Sequence, residues 1–388
     1  MWKPDRSNES IFTNWYFSID KKLFGLVLLM IFIAMIMAIS SGSAMFVRTM
    51  NMRHSIEWYD FFVRMIPYYL IGIATLFGVS MVGRNTIMKL AWTDLVVCFL
   101  LLLGTVAFPH LMNNSHRWLI IPGLPRIMPS DLMKPGFVIV SAWFISKMQS
   151  VYGKDMFDLK RTLYQIKTWS WLWYLIPFAI VLMIQFWHPD FGTMALYLAT
   201  FAIMLIVGGL PWRWVATLGG CGVGLITLGI MILPHVRART LAMFGPVNPT
   251  SQIGIALRAI RNGGLFGAGD KADIVEHLPM AESDFVLSVI SENFGAIASC
   301  ALIILLAFVV ARLLKQSRRA RNDFVSNAVA GTAAMFGIQA CINLASTLRL
   351  MPAKGMTLPF ISHGGSSLVA YCLLFGMILA LIREDKWE

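Results

Sequence analysis

Charged side chains are scarce in this chain: they make up 13% of the 388 residues, where a soluble domain carries about 25%. With 57% of its residues hydrophobic, the chain cannot hide its apolar surface in one aqueous core, which excludes an ordinary soluble fold. Cysteine is also sparse. The five, at 98, 221, 300, 341 and 372, fall inside apolar runs without disulfide or zinc spacing and read as small packing residues. The first apolar run, Leu23 to Ser40, is too long for a signal peptide and lacks its small-residue cleavage pattern, so a retained helix is expected. No internal repeat is evident, which counts against an inverted-repeat transporter. His188, His277 and His363 lie on separate loops without ligand spacing, and isolated polar histidines are expected rather than a metal centre.

What the chain does have is a series of apolar runs near the ~20 residues that cross a hydrocarbon layer. Ten spans are expected, at 23–40, 61–82, 88–108, 132–148, 171–187, 193–210, 214–233, 285–312, 325–348 and 367–382. The fold class is therefore all-α: a polytopic bundle over 23–382 between tails at 1–22 and 383–388. The net charge of +12 sits in short clusters between these runs, as topology signals and phospholipid contacts rather than as a nucleic-acid face. An even number of spans puts both termini on one side. With the termini in the cytoplasm, 19 of the 32 Lys and Arg residues fall inside and 11 outside, as the positive-inside rule favours. Residues 234–284, between the seventh and eighth helices, then form a long extracytoplasmic loop. Its segments GGLFGAGD (263–270) and HLPMAESDF (277–285) mix glycine turns with apolar anchors, so the loop is expected to pack on the bundle.

Polar clusters fall on that same outer face: NNSHRW (113–118), MPSDLMK (128–134), HPDFGT (188–193), ESD (282–284) and MPAKGMTLPFISHGGSS (351–367). Convergent Arg, Lys and glycine-rich backbone imply an anionic ligand, a phosphate or pyrophosphate.

The residues in this order carry a family resemblance. Asn113 with Arg117-Trp118, Pro129-Ser130 with Lys134, Pro189-Asp190 with Gly192-Thr193, Leu278-Pro279 with Asp284-Phe285, and Pro352, Lys354-Gly355, Leu358-Pro359, Ser362 and Gly364-Gly365-Ser366-Ser367 together resemble the SEDS (RodA/FtsW/SpoVE) family. The likeness runs from the first span to the last, and ordered motifs are far more specific than any one of them. Trp15 ahead of Asp20-Lys21 looks like the proteobacterial division branch. The resemblance implies a SEDS fold and a peptidoglycan glycosyltransferase that polymerises lipid II at the outer side of the bacterial inner membrane, at the division septum. It also implies a class B penicillin-binding protein transpeptidase and other division proteins as partners. The alternatives are a lipid II flippase or transporter, a non-catalytic division scaffold, and the elongation member of the family.

Such a transfer displaces a polyprenyl pyrophosphate from an anomeric carbon by a sugar 4-hydroxyl, with inversion. It needs one base and cations, since the leaving group departs as an anion. Asp284 matches the family's required aspartate, and partial burial would strengthen it as a base; a helix N-cap is the other role open to it. Arg117 and Lys134 are candidates for the pyrophosphate, alongside a snorkelling role and a bundle-stabilising one. Trp118, Ser130, Asp190, Glu276, Lys354, Ser362, Gly364, Gly365 and Ser366 complete the expected substrate site. Asp190 reads first as a cap, and the glycine pair as phosphate-binding amides or a re-entrant turn. Glu276 and Lys354 are expected to pair across the outer loops. Glu292 could be functional or could form an ion pair with Lys134 or Arg64; Asp94 has no evident role. No tightly bound cofactor is expected, though the resemblance allows a divalent cation, magnesium or manganese. The chain departs from the family pattern at Met128, Asp131, His235-Val236, Met280, Asn293 and His363, while Asp284 survives, so a divergent active enzyme is expected.

Overall fold

The structure, a computed structural model, describes residues 11–49, 60–107, 118–119, 127–152, 169–188, 190–232, 237, 240, 243–352 and 355–385. Its helices in chain order are α1 (Ile11–Ser18), α2 (Lys21–Thr49), α3 (Asp60–Met81), α4 (Arg84–Ala107), α5 (Pro129–Leu132), α6 (Lys134–Tyr152), α7 (Trp169–Trp187), α8 (Phe191–Val207), α9 (Trp212–Ile232), α10 (Gln252–Asn262), α11 (Val286–Ser317), α12 (Asp323–Thr347) and α13 (Gly365–Asp385). Each of the ten expected spans overlaps one of these helices, and among the described residues no strand forms beyond a single antiparallel bridge between Leu119 and Ile127. Among the described residues six helices, α2, α3, α4, α11, α12 and α13, are long and apolar enough to cross a membrane; α7 and α8 carry shorter apolar stretches.

The centre of the bundle is C-terminal. Helix α13 packs along α3, and α12 packs against α6, α8 and α11. Between Asn327 and Ala334 every residue of α12 is buried, because this run of Ala, Gly and Thr lets neighbouring backbones come close. Leu29, Phe32, Leu70, Leu100, Ile304 and Phe308 are exposed, as side chains facing lipid should be.

Helix α11 is not the single span its apolar run suggests. It breaks at Gly295, whose φ of 84° and ψ of 178° are not helical, and the break leaves peptide groups without their helical partners. The glycine-rich segment 263–268 supplies the missing ones. Ala268 N donates to Glu292 O at 2.8 Å, Ala296 N donates to Gly264 O at 2.9 Å, and Ile297 N to Leu265 O at 3.3 Å. A side chain at Gly295 would overlap the Leu265 carbonyl, and one at Gly267 (φ 100°) the Asn293 carbonyl. Glycine at both positions is what lets the two backbones touch. The first part of α11, before Gly295, thus belongs with the loop. A second apolar core of Ala256, Ala259, Val275, Leu278, Ala281, Phe285 and Val289 joins them, separate from the core of the main bundle.

The N-terminal segment, expected as a polar tail, contains α1. Trp15 is buried, donates from Nε1 to Ser80 Oγ at 2.9 Å, and packs on Phe24 and Phe77. Asp20 then caps α2 by accepting from Leu23 N at 3.2 Å, and takes a bidentate bond from Arg312 Nη2 at 2.9 and 2.8 Å, plus one from Gln316. At the same end of α3, Arg383 donates to the carbonyls of Met81 and Val82 while Glu384 accepts from Arg84 N at 2.7 Å. Each charge complements the helix terminus it meets.

Burial alone would raise the Asp20 carboxyl, but the bonds from Arg312, Leu23 and Gln316 together hold it below its ordinary 3.8. A lowered folded value means that the unfolded chain binds the proton first, so the pair's contribution is complete above pH 3.8 and is lost as pH falls through the lowered value. Replacing Asp20 by Ala strands a largely buried guanidinium and is expected to cost about 3 kcal/mol. Thermal unfolding in detergent at pH 7 and at pH 3 checks this: the stability gap between wild type and Asp20→Ala should be wide at the first and narrower at the second.

Candidate active site

Asp284 lies where the outer loop runs into α11. Its backbone closes a tight turn, N–H to the Met280 carbonyl at 3.0 Å, with Met280 at a φ of 59°. The cap position of α11 belongs to Phe285, and no side chain caps it. Asp284 stands one residue outside that position, so its backbone is fixed by something besides the helix end. That something is α12. Asn343 Nδ2 donates both to Asp284 O at 3.0 Å and to Met356 O at 2.7 Å, and Thr347 Oγ1 reaches Asp284 O at 3.5 Å.

The loop from 355 to 367 closes the other side. Ser362 Oγ donates to Ser283 O at 2.5 Å and accepts from Leu358 N at 2.8 Å. His363 donates to the Glu282 carbonyl twice, from its backbone at 3.0 Å and from Nδ1 at 2.9 Å. Burial pushes the His363 imidazole below its ordinary 6.5, partly offset by the bond to Glu282 and the charge there, so the ring stays neutral near pH 7 with Nδ1 as its donor. A Cβ at Gly355 (φ 58°) would lie 3.3 Å from Asp284 Oδ2, so this loop's backbone runs directly beside the carboxylate.

Beneath Asp284 the polar stripe continues down α12. Gln339, one turn before Asn343, donates from Nε2 to Thr357 O at 2.8 Å and accepts at Oε1 from Lys134 Nζ at 2.7 Å and Tyr371 Oη at 2.7 Å. Lys134 is 1% exposed and its ammonium is held 2.6 Å from Asp131 Oδ1. Ser130 offers its carbonyl to Tyr197 Oη at 2.7 Å. Lys134 therefore sits under the site as a neutralised cation bonded to Asp131 and Gln339, and Glu292 is not its partner. Asp131, where the family has a glutamate, still supplies Lys134 with a carboxylate.

The structure thus brings three of the sequence clusters together: 128–134, 282–284 and 355–367. Asp190 is buried and caps α8, accepting from Thr193 N at 3.4 Å, in line with its cap reading. Trp118 is half-buried next to the Leu119–Ile127 bridge. Gly364 and Gly365 are half-buried with Ser366 at the start of α13; Gly365 lies against the ring of Tyr68, which a side chain would overlap. Glu276 is half-buried in the turn Ile274–His277, where burial raises its carboxyl, with His277 opposing and Asp273 and Glu292 adding to the shift. Arg117, Pro189, His235-Val236 and Lys354 lie outside the described residues, and with Lys354 the expected pair to Glu276. Among the described residues no three His, Cys, Asp or Glu side chains cluster as metal ligands.

Some functional residues escaped the sequence reading. Gln339, Asn343 and Thr347 recur every four residues in an otherwise apolar span, a spacing that puts them on one helix face, and polar groups inside a span mark function. Asp94 also finds its role: Oδ2 accepts from Gly136 N at 2.8 Å, satisfying an end amide of α6 from across the helix pair.

A bundle of apolar helices, with a long loop folded onto a broken helix and an aspartate at their junction, defines a polytopic membrane protein with an enclosed polar site. The model of the cell cycle protein family of FtsW, RodA and SpoVE matches residues 20–387. A relative in Caulobacter vibrioides, named "Probable peptidoglycan glycosyltransferase FtsW", is 31% identical over 98% of this chain and 93% of its own length; one of the same name in Taylorella equigenitalis is 29% identical over 84% and 89%. Among solved structures, a chain of a peptidoglycan synthase complex is similar with a TM-score of 0.74 at 23% identity, covering 95% of this chain and 99% of that one. The rod shape determining protein RodA of Thermus thermophilus is similar with a TM-score of 0.65 at 23% identity, over 95% and 98%. The chain belongs to the FtsW/RodA/SpoVE family of cell cycle proteins, and its fold is the SEDS fold expected from its motifs.

Asn343 bridges the Asp284 carbonyl to the 355–367 loop at Met356, beside the direct bonds from Ser362 and His363. An Asn343→Leu protein keeps the volume but leaves two buried carbonyls short of a donor, each costing roughly 1 to 3 kcal/mol. Amide exchange by mass spectrometry should speed up in 280–285 and 356–363 while α3 and α13 keep their protection.

Proposed function

We propose that this protein is a peptidoglycan glycosyltransferase that polymerises lipid II during septal wall synthesis. Asp284 is its base. The acceptor's 4-hydroxyl attacks the anomeric carbon of the donor, its proton passes to the Asp284 carboxylate, and the carbon–oxygen bond to the polyprenyl pyrophosphate breaks with its electron pair, inverting the centre. The observation that carries this reading is the hold on Asp284: α12 bonds its carbonyl and the 355–367 loop bonds that of Ser283, while the residue keeps partial exposure. A group that only had to cap a helix would need neither, and a reacting group needs a fixed geometry.

Of the two candidate cations for the departing pyrophosphate, Arg117 is assigned to it. Lys134, enclosed by Asp131 and Gln339, supports the site from beneath. The names of the curated relatives favour the division over the elongation member. The bonds of Lys134 and Asp94 within the bundle and of Glu292 to the loop give those charges supporting roles, which favours an enzyme over a lipid II flippase. The similarity to a chain of a synthase complex supports a class B penicillin-binding protein as partner, with other division proteins around it. Ten spans, cytoplasmic termini, the loop 234–284 outside and a septal location complete the proposal; no Ser-x-x-Lys motif stands in a penicillin-binding context, so crosslinking belongs to the partner.

Two experiments test it. Purified protein with lipid II in detergent should form glycan strands, and Asp284→Asn should lower the rate about 10² to 10⁴-fold at an unchanged melting temperature; normal polymerisation by the folded variant would sink the assignment. For the orientation, a cysteine at Lys160 should resist an impermeant maleimide in intact cells, while one at Asp270 should react.

A further inference from the structure

Glu292 is the most completely enclosed carboxylate outside the site described above. It is 0% exposed, it lies on the short first part of α11, and its bonds run to the outer loop rather than into the bundle. Oε1 accepts from Asn262 Nδ2 at 2.8 Å and from Ile274 N at 3.0 Å, and Oε2 accepts from Val275 N at 2.7 Å. Its backbone carbonyl takes the Ala268 amide. One residue thus ties down the end of α10, the glycine-rich segment and the turn at Ile274–His277. The two amides of that turn converge on the carboxylate as in a backbone anion nest.

The consequence for Asp284 is mechanical. Because α11 breaks at Gly295, the segment that begins just after Asp284 is not held in line by the longer part of the helix that follows the break. Besides the bonds from Asn343 and Thr347 to the Asp284 carbonyl and the seating of Val286 and Ile290 in the main core, it is held by the loop it carries, through the second apolar core and through Glu292. Val275 and Leu278 belong to that core with Ala281, Phe285 and Val289, so the turn gripped by Glu292 and the residues flanking Asp284 form one packed body. We infer that Glu292 is a positioning residue for Asp284: it reads the amides of Ile274 and Val275 and sets the height at which the loop presents the Asp284 carboxylate to the acceptor hydroxyl. The inference rests on Asp284 being the base. A displacement of about 1 Å at a reacting group can cost on the order of 10²-fold in rate, without any change in the groups that bind substrate.

The test is a substitution and an exchange of partners in the full-length protein. Glu292→Gln keeps the shape but turns one acceptor into a donor that faces the N–H donors of residue 262 or of the turn. Polymerisation of lipid II should lose 10- to 100-fold in kcat with KM within about two-fold, and amide exchange should rise at 274–278. Exchanging the groups, Glu292→Gln with Asn262→Asp, restores a complementary amide–carboxylate pair and should recover at least several-fold of kcat over Glu292→Gln alone. Asp284→Asn is assayed beside them. If Asp284→Asn is inactive while Glu292→Gln polymerises like wild type, or if the exchange recovers melting temperature but no kcat, the positioning role is overturned and the base stands. If Asp284→Asn is itself fully active, the base assignment falls and the inference falls with it. Should Glu292→Gln fold too poorly to assay, the exchanged pair carries the test, and wild-type stability with kcat still at the level of a base-free enzyme would overturn the inference.

Discussion

A peptide group in hydrocarbon has no water to bond, so any interruption of a membrane helix must find its partners in protein. That constraint governs the arrangement of this chain. The helix from Val286 to Ser317 is interrupted at Gly295, and the amides and carbonyls released there are taken up by residues 264, 265 and 268. The outer loop cannot then be a loose connection between two spans. It is stitched to the helix it precedes, and the stitching decides where Asp284 stands. An unbroken helix would need no glycine-rich segment against it and would leave the loop to be held by side chains alone.

A second device works at right angles to the first. The polar face of the helix Asp323–Thr347 passes bonds from Lys134 and Tyr371 through Gln339 to Thr357, and through Asn343 to Met356 and Asp284. Each buried polar group in this chain of contacts satisfies another, which is the condition for keeping such groups inside an apolar bundle. The site is therefore layered: a neutralised lysine at the base, amide side chains in the middle, and the aspartate with the 355–367 loop above. The departures from the family pattern fit within it. His363 keeps a donor toward the Glu282 carbonyl, Asp131 keeps a carboxylate on Lys134, and Asn293 turns its amide back onto Val289 O at 3.0 Å, away from the reacting centre.

Much of this was legible in the residues alone. The helical spans follow from apolar runs, because burial in lipid demands length and low charge before it demands any partner. The junction of the long loop with the eighth span, and Asp284 within it, followed from ordered motifs. The Asp190 cap was readable from an Asp ahead of Gly192-Thr193, since capping is local chemistry. What failed were readings that needed a partner from elsewhere in the chain. Glu292 reads from the residues alone as functional or as an ion-pair partner of Lys134 or Arg64, yet its partners are the Asn262 side chain and the backbone amides of residues 274 and 275, which no residue type announces. The break at Gly295 was invisible because a glycine in an apolar run looks the same in a straight helix.

The sequence by itself determined the class of solvent, the helical content, the family and the aspartate, because hydrophobicity, helix length and local motifs are carried by neighbouring residues. Only the tertiary structure decided how Asp284 is held, that Lys134 is already neutralised by Asp131, and that a glutamate 0% exposed fastens the outer loop. Those are matters of which distant groups meet. A hydrogen bond depends on distances of a few tenths of an ångström between chain segments, and that information exists only once the segments are packed.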